Sequence, residues 1–369
     1  MNIKFAKPDI LKKDIKNVEK ILKSGWLTHG QTTKNFEKEF RKFTNSKYSL
    51  TTSSCTSALH LACIGAGFKK NDEVIIPSMT HVATAHAVEY TGASVKIVDV
   101  DKLTGNLNLG IIKKNYSKKV KGIIIVHMSG IANEVKKILK FCKDNNIKLI
   151  EDCAHALGSY CNNRHVGNFG LAGCFSFYPT KQITTGEGGM LITNNKSFFD
   201  RVKNLKAFGI SKDISERKIP GDYDVNSIGY NYRMTEFQSS LGLDQIKRYK
   251  KNLFKRKIVA KRYIYNLKKN KQILFKKYSQ DFSYFVFQIF VNNRNEVISE
   301  LNKNKIGFSI HYLNPLHNLS YYKKRYSLKK VNFKNTEIYA KKNISLPVYK
   351  SLTIKEVDII SKLIIKIAR

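Results

Sequence analysis

Apolar residues recur every three or four positions near the start of the chain, which is the spacing of one face of an α-helix. We therefore predict a helix over Asp9–Lys23, ended by Ser24-Gly25, because glycine favours the conformation that closes many helices. A second helix is predicted through Phe36, Phe40 and Phe43, which share one face at this spacing.

Between residues 48 and 193, short apolar runs of strand length alternate with segments of helical pattern. This repetition predicts an α/β fold with a mostly parallel sheet covered by helices. Such sheets bind ligands beyond the carboxyl ends of their strands, so we expect the chemistry there. The predicted strands are Tyr48–Leu50, Glu73–Ile76, Ser94–Val98, Gly122–Val126, Lys148–Ile150, Cys174–Phe177 and Met190–Ile192. The predicted helices between them are Ala58–Gly67, Val82–Tyr90 and Ala132–Asn145.

The pattern changes after Thr235. A long Lys-rich helical pattern covers Phe237–Lys269, and a strand over Tyr284–Val291 and helices over Glu296–Leu301 and Thr353–Ile367 follow. We interpret this part as a smaller α+β domain and place the boundary near residue 245. The predicted domains are therefore a large α/β domain over residues 1–245 and a small C-terminal domain over residues 246–369.

The chain is strongly basic, with 66 Lys and Arg against 28 Asp and Glu and a formal net charge of +38. Only 11 of these cations are Arg, and the lysines are spread along the whole chain. Proteins that read nucleic acid depend on Arg for bidentate contacts, so we predict no specific nucleic-acid partner. The charge indicates a solvated Lys-rich surface, and the alternative is a role in attracting a small anionic substrate.

The six cysteines contain no C-x-x-C pair and no zinc spacing, so we predict no metal site and free thiols in a reducing cytosol. The first 22 residues lack the continuous apolar segment of a signal peptide. The longest apolar runs have the length of a strand and are far too short to span a membrane. The sequence therefore predicts a cytoplasmic protein without a membrane partner.

Two charged residues stand at predicted strand ends. Asp152 follows the strand Lys148–Ile150, where either a ligand-binding carboxylate or a helix cap is expected. Lys181 follows a strongly apolar strand and precedes the glycine-rich turn Gly186–Gly189. A lysine held beside an aspartate in a partly dry cleft can stay neutral enough to attack an aldehyde.

A hydroxyl-rich turn, Ser53–Ser57, opens a helix directly after the first predicted strand. The free N–H groups and the dipole of a helix start form an anion pocket, and the same residues serve as helix caps. An anion pocket, a carboxylate at a strand end and an activated lysine together describe a site for pyridoxal phosphate. That cofactor needs an amine for its aldehyde and a carboxylate for its pyridine nitrogen.

These segments, with several others in the same order, resemble the DegT/DnrJ/EryC1/StrS family of sugar aminotransferases, and the resemblance covers nearly the whole chain. It implies the pyridoxal-phosphate-dependent transferase fold of type I, related to aspartate aminotransferase. The other matching segments are Gly25–Thr28, Asp72–Pro77, Glu151–His155, Phe175–Gly189, Gly229–Met234, Ile310–Tyr312 and Ser345–Tyr349.

The resemblance also implies roles for residues around the cofactor ring. Lys181 is expected to bind the cofactor aldehyde and to move protons, and Asp152 to pair with the pyridine nitrogen. Ala154 is expected to pack on one ring face and His155 to lie near the ring oxygen. His81 stands where the family usually has an aromatic residue that stacks on the ring, and its alternative is a helix-start residue facing solvent.

The remaining implied roles concern the phosphate and the sugar. The phosphate is expected to be held by Ser54, Cys55, Thr56 and Ser176, although the family usually has glycine where Cys55 stands. Asn231 is expected to reach the phosphate of the neighbouring subunit, which implies a homodimer with shared active sites. Thr28 and His311 are expected near the sugar.

The activity implied is transfer of an amino group from glutamate to the keto group of a nucleotide-diphosphate-linked keto-deoxy sugar. Such amino sugars serve surface polysaccharides or glycans, including lipopolysaccharide O-antigens. One alternative is an aminotransferase for a carbocycle of the inosose type. Another is a sugar 3-dehydratase of the same family, whose members carry histidine where this chain has Lys181. A non-enzymatic nucleic-acid-binding or regulatory protein is disfavoured by the presence of Asp152 and Lys181.

Overall fold

The structure is a computed structural model that describes residues 2–212, 217–326, 328 and 331–369. Its strands are β1 (Tyr48–Thr52), β2 (Glu73–Pro77), β3 (Ser94–Val98), β4 (Val120–Val126), β5 (Lys148–Asp152), β6 (Tyr160–Cys161), β7 (Arg164–His165), β8 (Ala172–Ser176), β9 (Gly189–Thr193), β10 (Phe287–Phe290) and β11 (Asn343–Leu346). Its helices are α1 (Lys12–Ser24), α2 (Gln31–Thr44), α3 (Cys55–Gly65), α4 (Val82–Glu89), α5 (Leu109–Asn115), α6 (Val135–Asp144), α7 (Lys196–Leu205), α8 (Glu236–Leu267), α9 (Arg294–Lys303), α10 (Ser320–Arg325), α11 (Lys334–Lys342) and α12 (Ile354–Ile367).

Seven strands form one sheet in the order β1-β9-β8-β5-β4-β2-β3. The neighbours from β8 through β5, β4 and β2 to β3 are parallel, whereas β9 is antiparallel to both β1 and β8. The predicted mostly parallel sheet is therefore confirmed, with β9 as the one reversed strand. Helical crossovers precede β2, β3, β4 and β5, and the segment with the β6–β7 hairpin precedes β8. Only a short turn-rich segment joins β8 to β9, so β9 runs back alongside β8.

Helices cover both faces of the sheet, which explains the apolar runs in its strands. In β4, Ile123 and Ile125 pack in the core on one face, and Ile124 packs in the core on the other. Successive side chains of a strand point to opposite faces, so a strand buried on both sides has no polar alternation. The short apolar runs of the sequence correspond to strands of this kind.

A second core lies in the C-terminal part of the chain, around the antiparallel pair β10–β11 and the helices α9 and α12. Helix α8 joins it to the sheet without a break at residue 245. Its Ile246 packs beside the sheet, and its Val259 packs in the second core, which also contains Ile3. The division into domains at residue 245 stays a prediction.

Several elements were not predicted or begin elsewhere. The sequence analysis did not include α5, α7, α10, α11, β11 or the β6–β7 hairpin. Helix α1 begins at Lys12 rather than at Asp9, because Leu11 is its N-cap and the Asp14 carboxylate accepts the N–H of Leu11. Asp9 lies outside the helix, and its carboxylate pairs with Arg248 and Lys350. Within the described ranges, every helix is too short or too polar to cross a membrane.

Candidate active site

A cavity of about 500 Å³ lies beyond the carboxyl ends of β2, β4, β5 and β8. The parallel direction of these strands gathers the segments that follow them at one edge of the sheet. Ten of the twelve predicted site residues line this cavity, namely Ser54, Cys55, Thr56, His81, Asp152, Ala154, His155, Ser176, Lys181 and His311. The other two, Thr28 and Asn231, lie outside its lining.

The carboxylate of Asp152 is buried at the end of β5, with 4% of the residue exposed. Its Oδ1 accepts a hydrogen bond from the backbone N–H of Ala154 at 3.0 Å, and its Oδ2 accepts one from the hydroxyl of Thr84 at 2.8 Å. A carboxylate can accept about four hydrogen bonds. The two donors fix its plane and leave acceptor capacity for a ligand in the cavity.

Lys181 extends from the turn after β8 into the same cavity. Burial lowers the pKa of its amine to about 8, against the opposing influence of Cys55 and Asp152. Its Nζ lies 4.7 Å from the centre of the Phe285 ring. The apolar surroundings therefore keep a sizeable fraction of this amine neutral near physiological pH, which a nucleophilic lysine requires.

The hydroxyl-rich turn after β1 caps helix α3. Ser54 is its N-cap, and the Ser54 hydroxyl accepts a hydrogen bond from the backbone N–H of Ser57 at 3.0 Å. A Cβ at Gly189 would lie 2.4 Å from the carbonyl oxygen of Ser54, so only glycine allows β9 to pass this close. Burial raises the pKa of the Cys55 thiol, which is therefore protonated where the family usually has glycine.

Two buried or half-buried histidines, His155 and His311, also line the cavity. The ring of His155 stacks on Phe285 with 4.3 Å between centroids, and His311 meets the His155 ring edge-on at 5.4 Å. Burial and the nearby Lys181 lower the pKa of both, that of His311 to about 3. The Nδ1 of His155 accepts from the backbone N–H of Ser129 at 3.4 Å, so its proton is assigned to Nε2.

His81 is an exposed residue at the start of a helix, which was one of the two alternatives for it. It is the N-cap of α4, and its Nδ1 accepts a hydrogen bond from the backbone N–H of Ala83 at 3.2 Å. It also lines the cavity while remaining exposed. Partial desolvation by the surrounding protein and the nearby Lys181 lower the pKa of His81, which favours the neutral ring. Its stacking on a cofactor stays a prediction.

The comparison with known proteins agrees with this geometry. The model of the DegT/DnrJ/EryC1/StrS aminotransferase family matches residues 8–364. The chain belongs to that family. GDP-perosamine synthase of Escherichia coli O157:H7 is 31% identical over 96% of this chain and 95% of its own length.

Two solved structures have nearly the same fold. PseC of Helicobacter pylori, an aminotransferase of pseudoaminic acid biosynthesis, superposes with a TM-score of 0.91 at 29% identity over 99% of both chains. A Streptococcus pneumoniae protein described as a sugar aminotransferase, in its PMP form, has a TM-score of 0.91 at 28% identity over 99% of this chain and 98% of its own. The predicted transferase fold and the aminotransferase activity are confirmed.

The cofactor of this family, pyridoxal 5'-phosphate, fits the cavity of this aminotransferase. Lys181 offers a partly neutral amine for the aldehyde, and Asp152 offers an anchored carboxylate with a free edge for the pyridine nitrogen. The N-terminus of α3, with Ser54 as its cap, offers N–H groups for the phosphate. The site thus contains a partner for each polar group of the cofactor.

Thr28 and Asn231 lie outside the cavity of their own chain. Thr28 lies in the loop between α1 and α2, where its hydroxyl is 3.2 Å from Nδ1 of His29. Asn231 is exposed, and its side-chain oxygen accepts a hydrogen bond from Nε of Arg233 at 3.1 Å. Their predicted roles at the sugar and at a neighbouring phosphate stay predictions.

The residues of the site that were not predicted include Thr84, Phe285 and Tyr312. Thr84 lies in the first turn of α4 and contacts Asp152, which is 68 positions away in sequence. Phe285 and Tyr312 come from the C-terminal part and lie against Lys181 and His81. The only signal for Tyr312 is its place beside His311, and the local sequence of Thr84 and Phe285 carries none.

One buried cluster has the residue types of a metal site. Potential ligand atoms of His127, Glu151 and Cys153 lie within 4.8 Å of one another in the described structure. The Glu151 carboxylate already accepts hydrogen bonds from Nε2 of His127 at 3.1 Å and from three backbone N–H groups at 2.7–2.8 Å, those of Gly167, Phe169 and Gly170. Its acceptor capacity is used within the protein, so we interpret the cluster as structural.

Proposed function

We propose that this aminotransferase moves the amino group of glutamate to the keto group of a nucleotide-diphosphate-linked keto-deoxy sugar, for a surface polysaccharide or glycan. The observation that carries the proposal is the buried amine of Lys181 in one cavity with the carboxylate of Asp152. The named activity of the E. coli relative supports a nucleotide-sugar substrate.

We assign the proton transfers to Lys181. When bound, pyridoxal phosphate supplies an aldehyde that reacts with amines and a ring that accepts electrons from the carbon losing its proton. With a pKa of about 8, Nζ of Lys181 can take the proton from Cα of glutamate and later deliver one to the former keto carbon of the sugar. A base positioned in this way contributes about 10²–10⁴-fold to the rate.

Other residues are proposed to hold and orient the cofactor. The carboxylate of Asp152 is proposed to accept a hydrogen bond from the N–H of the pyridine nitrogen and so to keep that nitrogen protonated, and Nε2 of His155 to donate to the ring oxygen. Ser54, Thr56 and Ser176 are proposed to donate to the phosphate, with the N–H groups at the start of α3. Because every side chain in this set lines one cavity, the three polar groups of the cofactor can be held at once.

The electrostatics of the chain favour an anionic substrate. The formal net charge is +38. A positive field raises the rate at which a nucleotide diphosphate encounters the site, and salt weakens that effect.

A homodimer is part of the proposal. The segment around Asn231 exposes large apolar side chains, with 43% of Phe208, 52% of Val225 and 90% of Ile228 exposed. A second copy of the chain covering this segment would bury them and bring Asn231 toward its cavity. Exposed apolar groups clustered in this way are typical of subunit interfaces.

Two alternative enzyme activities would use related substrates. A sugar 3-dehydratase of this family carries histidine at the position of Lys181, because a lysine would recapture the cofactor and favour amino transfer. An inosose-type aminotransferase would share the chemistry of Lys181 and Asp152 but bind a carbocycle without a nucleotide. The relative that acts on a GDP-sugar favours the nucleotide sugar.

The test is the mass of the sugar product. The purified protein, loaded with pyridoxal phosphate, is incubated with [¹⁵N]glutamate and a panel of UDP-, GDP- and dTDP-linked 4-keto-6-deoxy sugars. We expect one of them to become an amino sugar that carries ¹⁵N, with an equal amount of 2-oxoglutarate.

The variant Lys181→Ala is the control, since it should yield neither product. A deoxy-keto sugar without nitrogen would identify a dehydratase. Amination of an inosose and of none of the nucleotide sugars would identify a carbocycle aminotransferase. Either result would overturn the proposal.

A further inference from the structure

The carboxylate of Asp152 is held by donors from two different parts of the chain. The N–H of Ala154 is local, two residues away, and holds Oδ1. The hydroxyl of Thr84 comes from helix α4 and holds Oδ2 at 2.8 Å. Because β4 lies between β2 and β5 in the sheet, Thr84 reaches Asp152 across the end of β4.

Thr84 is itself held by a second hydroxyl. The Oγ1 atoms of Thr80 and Thr84 are 2.7 Å apart, and the residues are 3% and 0% exposed. A hydroxyl has one proton, and the proton of Thr84 is donated to Asp152. Thr80 must therefore donate to Thr84, and the hydrogen bonds run in one direction, from Thr80 through Thr84 to Asp152.

We propose that Thr84 is a positioning residue for the cofactor-binding carboxylate, and that Thr80 fixes the hydroxyl of Thr84. One donor on each oxygen fixes the plane of the Asp152 carboxylate, which leaves the free acceptor sites directed into the cavity that Thr80 also lines. Hydrogen bonds in such a chain polarise and strengthen one another. This inference rests on the proposed role of Asp152 toward the pyridine nitrogen.

The alternative is that Thr84 merely satisfies a buried carboxylate and contributes to folding. The chain contains a matched case of that kind. Thr336 is also 0% exposed, and its hydroxyl donates to Oδ1 of Asp99 at 2.6 Å, away from the cavity. The variants Thr84→Val and Thr336→Val remove the same type of hydrogen bond with nearly the same change in shape.

The experiment measures the dissociation constant of pyridoxal phosphate by absorbance titration of the cofactor-free full chain. We expect Thr84→Val to raise it about tenfold to a hundredfold, which is the usual worth of a hydrogen bond to a charged group. Thr84→Ser keeps the hydroxyl and should bind within about threefold of the wild type, and Thr80→Val should lose about two- to tenfold. Thr336→Val should not change cofactor binding.

Steady-state kinetics of the loaded enzyme give a second readout. A positioning role predicts that Thr84→Val lowers kcat with little change in the KM for glutamate, and that Thr84→Ser restores kcat. Thermal unfolding of the cofactor-free proteins should show equal losses for Thr84→Val and Thr336→Val, since both lose one buried hydrogen bond.

Several results would overturn the inference. Cofactor binding by Thr84→Val within twofold of the wild type would do so, as would a Thr84→Ser variant as weak as Thr84→Val. If Thr84→Val does not fold, an unchanged dissociation constant in Thr80→Val would overturn it. The variant Asp152→Asn separates the two proposals: if it binds the cofactor normally, the role of Asp152 is wrong, whatever Thr84 does.

Discussion

Glu151 and Asp152 are neighbours on β5, yet their side chains lie on opposite faces of the sheet and have opposite surroundings. Glu151 is 0% exposed and accepts four hydrogen bonds from the protein. Asp152 accepts two and keeps a free edge toward the cavity. The comparison teaches that the unused acceptor capacity of a buried carboxylate, rather than its burial, indicates chemistry.

The energetics of the two faces differ in the same way. Burial alone would raise the pKa of Glu151, but the hydrogen bonds from His127, Gly170 and Gly167 outweigh it and lower that pKa. On the cavity side, burial lowers the pKa of Lys181, so its charged form is destabilised in the folded protein. The hydrogen bonds of Glu151 therefore stabilise the fold. On the other face of the sheet, the desolvated Lys181 destabilises the cofactor-free protein, and binding of the cofactor can offset that loss.

The largest expected effect is on activity, from Asp152→Asn. Loss of the charge facing the cofactor ring should lower kcat by about 10²–10³-fold, as removal of a key electrostatic group does. The free energy of unfolding of the cofactor-free protein should change by about 1 kcal/mol or less, since an amide can still accept one of the two hydrogen bonds. Activity assays measure the change in kcat, and urea unfolding measures the change in stability. A large loss of stability with a normal kcat would contradict the difference drawn between Asp152 and Glu151.

The next effect is on stability, from Glu151→Gln. Replacing this carboxylate leaves donors of Gly167 and His127 unpaired and should cost about 3–5 kcal/mol of the free energy of unfolding at pH 7. Because the folded pKa of Glu151 is lowered, its contribution is present above the ordinary value of 4.5 and is lost as the pH falls below it.

Urea unfolding of Glu151→Gln and wild type at several pH values measures that difference. The deficit of the variant should shrink as the solution is made more acidic than pH 4.5. A deficit that stays constant at every pH would show that the charge of Glu151 does not contribute. The fraction of Glu151→Gln that folds should bind pyridoxal phosphate with wild-type affinity.

The smallest expected effect has the opposite sign, from Lys181→Met in the cofactor-free protein. The folded pKa of Lys181 is about 8 against an ordinary value of 10.5, so protonation favours the unfolded chain. This penalty is fully present below pH 8 and disappears as the pH rises toward 10.5. The variant should therefore be more stable than the wild type by about 3 kcal/mol at pH 7, since each pKa unit is worth about 1.4 kcal/mol.

The difference between Lys181→Met and wild type should narrow between pH 8 and pH 10.5. Chemical unfolding at pH 7 and pH 10 measures it. A Lys181→Met variant that is less stable than the wild type at pH 7 would show that the charged amine of Lys181 does not destabilise the folded protein, which contradicts this prediction.

The sequence predicted the parts of the site that depend on local pattern. Lys181 and Asp152 directly follow apolar strands, and the Ser54 turn opens a helix, so strand ends and motifs were enough to find them. The strand pattern alone did not tell which of the two adjacent acids, Glu151 or Asp152, faces the cavity, and the choice of Asp152 came from the family resemblance. The alternation of a strand separates their side chains but does not say which face is which.

The residues that were missed act through contacts between distant segments. Thr84 is a helix residue whose only special feature is the carboxylate that it meets in space. Phe285 becomes part of the site because the C-terminal part brings it against Lys181 and His155. The reversed strand β9 was also beyond the local pattern, because the direction of a strand depends on its connection and not on its composition.

The most direct test of the account is to find which lysine reacts with the cofactor. The protein is loaded with pyridoxal phosphate, reduced with borohydride, digested and mapped by mass spectrometry. The chain has 55 lysines, and we predict that the pyridoxyl mass is found on the peptide that contains Lys181. The Glu151→Gln variant is the control, and its folded fraction should carry the same adduct. A stoichiometric adduct on any other lysine, with Lys181 unmodified, would contradict the account.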